Sequence, residues 1–211
     1  MTIILTGCKK DHVFEEGVMF GYINGYVYAD LGLSVKWATC NVGASSPEDY
    51  GDYFAWGETE TKKEYYPSNS VTYGLSISEL KSQGIIDGDH NLTPSHDAVT
   101  ANWGGTWRLP TKAELEELKN RCTWEWTTQN GVKGCRVTGP NGNNIFLPAA
   151  GRRYGSSRYD DGHRGYYWCS TPYDDYYGGY DDAYLLDFGD IEGVYWYYDR
   201  YYGLTVRPIT E

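Results

Sequence analysis

Paired aspartates among clustered tyrosines are the side chains of this sequence best suited to hold an ion or a ligand. The pairs are Asp160 and Asp161, Asp174 and Asp175, and Asp181 and Asp182. Carboxylate oxygens are preferred ligands of Ca²⁺, so a calcium site built from several of them is one interpretation. Neighbours on a strand point to opposite faces, however, and adjacency in sequence does not place both carboxylates at one site. A solvated acidic loop is the interpretation we favour.

Motifs of known catalytic chemistry are missing from the sequence. No GxGxxG opens a helix, and there is no P-loop, no HExxH pair and no GxSxG turn. The histidines lack the spacing of metal ligands; they are His12, His90, His96 and His163. No nucleophile, base and orienting group can be named together. We therefore predict a protein that is not an enzyme, with no cofactor and no bound metal unless the calcium interpretation holds.

The composition is acidic and rich in tyrosine. The 211 residues include 22 Tyr and 8 Trp, and the formal net charge is -11. Such a charge repels phosphate backbones and anionic lipid headgroups, so we expect no nucleic-acid partner and no electrostatic docking on a membrane. Protein, glycan or cationic partners remain open, and an unknown protein or glycan is the expected ligand.

The N-terminus resembles the end of a bacterial lipoprotein signal. Residues 5–8 read LTGC, which fits the lipobox cut before a lipidated cysteine, here Cys8. The apolar segment before it is shorter than the usual core of about 7–15 residues. We interpret residues 1–8 as a truncated signal and 9–21 as a tether; a disordered start on a soluble protein is the alternative. The expected location is the outer cell envelope, with the membrane reached only through the lipid.

The other four cysteines are Cys40, Cys122, Cys135 and Cys169. None forms a CxxC pair, so structural zinc and thioredoxin chemistry are not expected. Cys122 and Cys135 flank a turn, and a disulfide between them would stabilise an exported protein by about 2–4 kcal/mol. Reduced, buried thiols are the equal alternative.

Signals for strands and turns dominate the chain. An Asn-Gly step at 24–25 between aromatic and β-branched residues predicts a hairpin near Gly21. From Gly131 onward the pattern predicts short strands and turns, with 203–208 as the closing strand. These signals predict one α+β domain over 22–211.

Two helices are predicted. Within 109–122, Thr111 is placed to cap the helix, Glu114 to complete a capping box, and Leu115 and Leu118 to form its apolar face. Residues 76–84 form a weaker helical pattern that ends at a glycine.

Five segments resemble the Fibrobacter succinogenes major paralogous domain family, which is abundant in gut Bacteroidetes. They are 30–58, 101–118, 141–153, 166–171 and 200–208. That family is similar to the formylglycine-generating-enzyme branch of the C-type lectin fold, in which a WRLPT segment enters a helix. The resemblance implies an α+β, C-type lectin-like fold with two helices, short antiparallel strands and many irregular loops.

The resemblance does not extend to the chemistry of the enzyme branch. Formylglycine-generating enzymes hold copper with a cysteine pair near the C-terminus, and related sulfoxide synthases hold iron with a set of histidines. Here Cys169 stands alone in the tail and His163 has no partner histidine there. Neither chemistry is expected.

The last third of the chain has a different composition from the rest. Asn occurs ten times and Lys nine times in residues 1–144, whereas residues 145–211 contain neither and no Gln, but hold 14 Tyr, 9 Asp and 9 Gly. Replacing one or both adenines of an Asn codon gives Tyr, Asp, Ser or Gly, and relatives in the resembled family carry Asn in the corresponding loops. The pattern is therefore typical of adenine-directed mutagenesis by a diversity-generating retroelement, and we assign the variable-looking region to 152–203.

Tyrosine, aspartate, serine and glycine are also the residues of antibody paratopes, because Tyr offers a large rigid contact surface at low entropic cost. We expect the variable-looking positions to form one solvent-facing patch. The predicted ligand-binding residues are Tyr173, Asp174, Asp175, Tyr176, Tyr177, Tyr180, Asp181, Asp182, Tyr195, Tyr197, Tyr198, Asp199 and Tyr202, with a second group of Asp160, Asp161, His163 and Arg164.

Other residues of the tail are predicted to be scaffold. Tyr166, Tyr167, Tyr184 and Tyr201 lie in or beside the family-like segments and are expected to pack internally, and Arg200 and Arg207 are expected to make structural ion pairs or hydrogen bonds.

The resulting functional hypothesis is a surface-displayed, non-catalytic ligand-binding protein whose tail is diversified to recognise varied ligands. A fixed structural or adhesive component of the cell envelope or of a fimbria is one alternative. A calcium-dependent glycan-binding lectin is the other.

Overall fold

A computed structural model describes residues 8, 20–174, 181–190 and 197–211, and they form a mixed α+β fold in which antiparallel sheets predominate. Its helices are α1 (Ile77–Ser82), α2 (Ala98–Trp103) and α3 (Lys112–Arg121), with a 3-10 turn at Pro67–Asn69. Its strands are β1 (Phe20–Ile23), β2 (Tyr26–Ala29), β3 (Lys36–Ala38), β4 (Thr123–Gln129), β5 (Val132–Thr138), β6 (Asn144–Pro148), β7 (Arg152–Tyr154), β8 (Ser157–Tyr159), β9 (Arg164–Pro172), β10 (Asp182–Gly189), β11 (Tyr197–Asp199) and β12 (Ile209–Thr210).

The strands form four sheets, in the orders β1-β2-β3-β12, β11-β10-β9, β4-β5-β6 and β7-β8. The pair β9–β10 separates two apolar cores because its side chains alternate between faces. Trp168 and Leu185 enter one core with Trp56 and Trp107. Tyr167 and Leu186 enter the other core. The C-terminal segment is thereby anchored from both sides.

The predicted opening hairpin is confirmed. Strands β1 and β2 pair with Ile23 opposite Tyr26, so the turn consists of Asn24 and Gly25. Their φ angles are 50° and 84°. Two positive φ values in a two-residue turn match the right-handed twist of the strands, and asparagine followed by glycine adopts them at the lowest cost. The first strand begins at Phe20, inside the predicted tether.

The two predicted helices are also confirmed. At the start of α3 the Glu114 backbone N–H donates to the Thr111 hydroxyl at 3.3 Å, and the Thr111 N–H donates to the Glu114 carboxylate at 2.7 Å. Arg108 holds the same carboxylate with bonds of 2.7 and 2.9 Å. Helix α1 has the equivalent capping box, and the chain leaves it through Gly84 at φ 71°.

The number of helices and the closing strand differ from the predictions. The described residues contain a third α-helix, α2, which begins after the buried Asp97; its carboxylate accepts the N–H groups of Val99, Thr100 and Leu109. Its six residues are too few to show a helical period. The closing strand is β12, because residues 204 and 205 make only isolated bridges and Pro208 offers no N–H for a ladder.

Arg207 joins three parts of the fold through carbonyl and amide oxygens. Its guanidinium donates to the Asn41 side chain at 2.8 Å, to the Ala38 carbonyl on β3 at 3.0 Å, and to the Phe146 carbonyl on β6 at 2.9 Å. The side chain is 1% exposed, and burial lowers its pKa to about 10. The predicted scaffold role of Arg207 is confirmed.

The cysteine pairing decides between the two alternatives for Cys122 and Cys135 and corrects one expectation. Cys122 and Cys135 are free thiols, as in the reduced alternative, whereas Cys8 and Cys40 form a disulfide that was not predicted. A sulfur in a disulfide cannot also carry a thioether-linked lipid, and the disulfide therefore stands against the predicted lipidation of Cys8. Among the helices of the described residues, none has both the length and the apolar character needed to cross a bilayer.

Replacing Arg207 tests how far the fold depends on this cation. Arg207→Ala leaves three buried acceptors without a donor, at about 1–3 kcal/mol each, so we expect the free energy of unfolding to fall by at least about 3 kcal/mol. Arg121→Ala is the control, since Arg121 is 52% exposed, and should change stability by less than about 0.5 kcal/mol. Urea denaturation measures both. Equal losses in the two variants would contradict the role assigned to Arg207.

Alkylation counted by mass spectrometry tests the cysteine pairing. Burial raises the pKa of Cys122 to about 11 and of Cys135 and Cys169 to about 12, so all three thiols should react slowly in the folded protein at pH 8. Unfolding without reductant should expose three reactive thiols, and reduction five. A lipid mass on Cys8, or five labels without reductant, would exclude the Cys8–Cys40 bond.

Candidate ligand-binding surface

Six tyrosine rings contact one another where β11 turns into the last part of the chain. We call them the tyrosine cluster: Tyr73, Tyr154, Tyr166, Tyr198, Tyr201 and Tyr202. Tyr201 stacks on Tyr202 with ring centroids 4.6 Å apart, and Tyr202 meets Tyr198 edge-on at 4.7 Å. Tyr154 reaches Tyr202 at 5.6 Å, and Tyr73 meets Tyr201 edge-on at 5.0 Å. These edge and stacked contacts are favourable geometries for aromatic pairs, so the rings hold one another in place.

Arg152 stabilises the inner side of the tyrosine cluster. Its guanidinium lies 5.2 Å from the Tyr198 ring, 5.4 Å from the Tyr166 ring and 5.8 Å from the Tyr202 ring. It also pairs with Asp160 and donates to the Tyr166 hydroxyl at 3.0 Å. Cation–π contacts with several rings fix the rings as well as the cation. Asp160, predicted to bind ligand, therefore contributes here to the support of the cluster.

Three carboxylates border the tyrosine cluster. Asp182 on β10 lies directly opposite Asp199 on β11, and the Asp181 carboxylate accepts the Gly74 N–H at 3.0 Å. Burial, followed by the charge of Asp181, raises the pKa of Asp199 against the effect of a hydrogen bond from Tyr201. Burial and the charges of all three aspartates raise the pKa of Tyr73, so this hydroxyl stays protonated. The border is negatively charged and rich in hydroxyl donors.

Arg200 fixes the frame beneath these side chains. Fully buried, it donates to the Asp182 carbonyl at 2.9 Å, to the Leu75 carbonyl at 2.9 Å and to the Thr72 carbonyl at 3.2 Å. Burial lowers its pKa to about 10. The loop that carries Tyr73 is thereby tied to β10, and the predicted scaffold role of Arg200 is confirmed.

The predicted single patch is divided by β11. Side chains alternate along a strand, so Tyr197 and Tyr198 point to opposite faces of the sheet. Tyr197 is 44% exposed and stacks on Tyr173 at 3.9 Å, and Tyr173 meets Tyr184 edge-on at 5.1 Å. Lys112 lies 4.5 Å above the Tyr184 ring. The described candidates thus form two groups, the tyrosine cluster on one face and Tyr173 with Tyr197 on the other.

The remaining candidates make local ion pairs. Arg164 holds Asp187 with bonds of 2.5 and 3.1 Å, and the Asp187 side chain is fully buried, so this pair belongs to the frame of β9 and β10. His163 lies 3.1 Å from Asp190 at the surface. Asp161 lies 3.6 Å from Arg158. Neither His163 nor Asp161 joins the tyrosine cluster.

Several candidates lie outside the described residues; they are Asp175, Tyr176, Tyr177, Tyr180 and Tyr195. Asp174 is exposed just before that gap. Among the expected packing residues, Tyr166 and Tyr167 are buried at 3% and 1%, whereas Tyr184 and Tyr201 are partly exposed and take part in the two tyrosine groups.

Sequence reasoning missed Tyr73 and Tyr154. Tyr73 lies far from the tail in sequence, and only the contacts of Arg200 with its loop bring it to the surface of the cluster. No composition signal marks Tyr73, because its neighbours are ordinary loop residues. Tyr154 was within the variable-looking region, but no pattern distinguished it from its neighbours.

Two kinds of reactive centre are relevant among the described residues, a metal site and a nucleophilic thiolate. In the part of the chain that the structure describes, no three His, Cys, Asp or Glu side chains converge to hold a metal ion. Cys169 is fully buried, and burial raises its pKa to about 12, so this sulfur is a thiol and not a nucleophilic thiolate.

Comparison with known proteins found no match for this chain, neither among family models nor among curated proteins nor among solved structures.

The raised pKa of Asp199 predicts how stability depends on pH. A carboxyl whose pKa is higher in the folded state stabilises the fold most at pH values below its unfolded pKa of about 3.9. This stabilisation is lost as pH rises through its pKa in the folded state. Asp199→Asn should therefore raise the melting temperature at pH 7 and leave it unchanged near pH 3. Asp89→Asn, at an exposed loop aspartate, is the control. A gain of the same size at both pH values would contradict this origin.

Proposed function

We propose that the protein is a non-catalytic ligand-binding protein and that the tyrosine cluster with its bordering aspartates is the recognition surface. The observation that carries the proposal is a set of partly exposed tyrosine rings fixed by mutual contacts above fully buried Arg200. Such rings offer a large contact area whose conformation is already restricted before the ligand arrives. Pre-ordering of this kind lowers the entropic cost of binding.

The side-chain chemistry favours a ligand with both apolar and polar contact groups. Tyrosine combines an aromatic face with a hydroxyl, and tyrosine is among the residues that most often dominate binding energies. The bordering Asp181, Asp182 and Asp199 add acceptors and negative charge. A protein surface or a glycan with exposed amide, hydroxyl or cationic groups is the partner that fits.

We propose a C-type lectin-like fold similar to that of the Fibrobacter succinogenes major paralogous domain family. Three features support this fold. Residues 107–111 lead directly into α3, short antiparallel strands are joined by long irregular connections, and the segment before the C-terminus packs through Arg207 against β3 and β6.

Diversification of the tail by a retroelement is part of the proposal. Its support is the separation of roles among residues of β10, β11 and the turn that follows β11. Ala183, Leu185 and Arg200 are buried, while Tyr198 and Tyr202 are partly exposed and contribute to the cluster. A surface whose frame is held by other residues tolerates substitution. The genomic test is a neighbouring reverse transcriptase and a near-identical Asn-rich template repeat, and an unchanged tail in many isolates with no template would exclude it.

We also propose that the protein functions in an oxidising compartment such as the cell envelope. Disulfides persist there and are rare in the reducing cytosol. The Cys8–Cys40 bond is the support for this location.

A double variant tests the recognition surface. Tyr73→Ser with Tyr202→Ser removes two rings of the cluster, and we expect binding to arrayed glycans or to arrayed extracellular proteins to fall at least tenfold. The melting temperature should stay within a few degrees because both rings are partly exposed. Unchanged binding by the double variant would exclude the tyrosine cluster as the recognition surface.

The matched control is Tyr65→Ser. The Tyr65 ring is 1% exposed, so this substitution should lower the free energy of unfolding by about 3–5 kcal/mol. A comparable loss of stability in the double variant would identify the tyrosine cluster as packing and favour a fixed structural protein. Chelation of Ca²⁺ distinguishes the proposed surface from a calcium-dependent lectin. Binding that disappears when a chelator is added would require a metal site and would favour the lectin.

A further inference from the structure

A polar cavity lies on the reverse side of the β7–β8 hairpin, away from the tyrosine cluster. Its volume is about 310 Å³, near the lower end of small-ligand sites. Along β7, Tyr154 faces the tyrosine cluster, so its neighbour Arg153 faces the opposite side. The cavity is lined by Gly51, Asp52, Tyr53, Thr61, Lys62, Tyr65, Arg153 and Arg158.

Two arginines stand directly opposite each other in this cavity. Arg153 on β7 pairs with Arg158 on β8. The backbone N–H and C=O of Arg153 both bond Gly203, at 2.7 and 3.0 Å, so Arg153 and Arg158 form a non-hydrogen-bonded pair, in which facing side chains lie closest. Like charges at facing positions, with Cβ atoms about 4.5–5.5 Å apart, destabilise a hairpin. The repulsion between Arg153 and Arg158 lowers the stability of the folded protein, and an anion bound between them would relieve it.

The surroundings fix Arg153 without neutralising it. Its guanidinium lies 5.7 Å from the Tyr53 ring and 5.8 Å from the Tyr65 ring. Both hydroxyls are engaged, with Tyr53 donating to the Ala150 carbonyl at 2.6 Å and Tyr65 donating to the Tyr53 carbonyl. The single hydrogen bond of the guanidinium among the described residues goes to the Ser156 carbonyl, at 3.0 Å. The cation is therefore held in place by rings and by a carbonyl.

The other charges of the cavity set the expected shape of the ligand. Lys62 is neutralised by Glu58 at 2.5 Å, whereas Arg158 lies 3.6 Å from Asp161 in an exposed, weak ion pair that leaves its charge available to a ligand. Asp52 also lines the cavity. A bare anion would face this carboxylate, whereas a ligand with hydroxyl groups beside its oxyanion could donate to Asp52 while the arginines hold the oxyanion.

The walls are formed before any ligand binds. Tyr65 and Gly155 bond each other's backbone at 3.0 and 2.9 Å, and Phe54 and Leu204 do so at 2.9 and 3.0 Å. The 51–65 segment and the β7–β8 hairpin therefore cannot separate freely.

We propose that this cavity binds a small hydroxylated carboxylic acid, free or at the end of a glycan, through Arg153 and Arg158. The proposal is independent of the recognition surface, because the two sites lie on opposite faces of β7.

Calorimetric titration with glucuronate tests the proposal, with glucose as the neutral counterpart. We expect glucuronate to bind and glucose not to bind. Arg158→Gln should weaken glucuronate at least tenfold, and so should Arg153→Gln. Arg136→Gln is the matched control, since that arginine pairs with Glu125 on a different sheet, and it should bind as the wild type does. Titration with a disaccharide that ends in glucuronate identifies the source of the ligand. Tighter binding of the disaccharide indicates the end of a glycan, and tighter binding of glucuronate indicates the free acid.

Thermal melting supplies a readout that a structural role would not produce. Without ligand, Arg158→Gln should melt at the wild-type temperature or above, because the repulsion from Arg153 is removed. Glucuronate should raise the melting temperature of the wild type and of Arg136→Gln but not of Arg158→Gln. Equal affinity for glucose and glucuronate, unchanged affinity in both cavity variants, or a lower melting temperature of ligand-free Arg158→Gln would overturn the proposal.

Discussion

Two buried guanidinium groups, Arg200 and Arg207, are the constraint on which the rest of the structure depends. Each binds backbone carbonyl oxygens from segments far apart in sequence, Arg200 joining the 72–75 loop to β10 and Arg207 joining the C-terminal segment to β3 and β6. A charge removed from water is tolerated only when its hydrogen bonds are made, so these segments can occupy few alternative positions. Irregular loops thereby acquire the rigidity that regular secondary structure usually provides.

That rigidity explains how a chain with short strands can present many exposed rings. The turn after β11 carries Tyr201 and Tyr202, and the 72–75 loop carries Tyr73; Arg200 holds both next to β10. The β7–β8 hairpin then supports both faces, since Tyr154 contacts the tyrosine cluster while Arg153 enters the polar cavity. A two-residue alternation thus separates an aromatic surface from a cationic one.

Much of the fold could be predicted where the signal is local. The Asn24–Gly25 turn and the Thr111–Glu114 capping box depend on neighbouring residues, and the structure has both. Helix α2 was not predicted, because its N-cap Asp97 is stabilised by the distant Leu109 N–H as well as by its own helix. About half of the candidate surface was predictable. Composition selected Tyr198 and Tyr202, but it also selected Arg164, which the structure commits to the buried Asp187.

The sequence by itself determined that the tail is rich in tyrosine and aspartate, that buried apolar residues interrupt them, and where the capped helices begin. These properties follow from residue types and short spacings. Only the tertiary structure decided that Cys8 bonds Cys40, that Tyr73 joins the cluster, and that Tyr197 and Tyr198 lie on opposite faces. Those outcomes depend on strand register and on contacts between distant segments, and a shift of one residue in register would exchange the two faces.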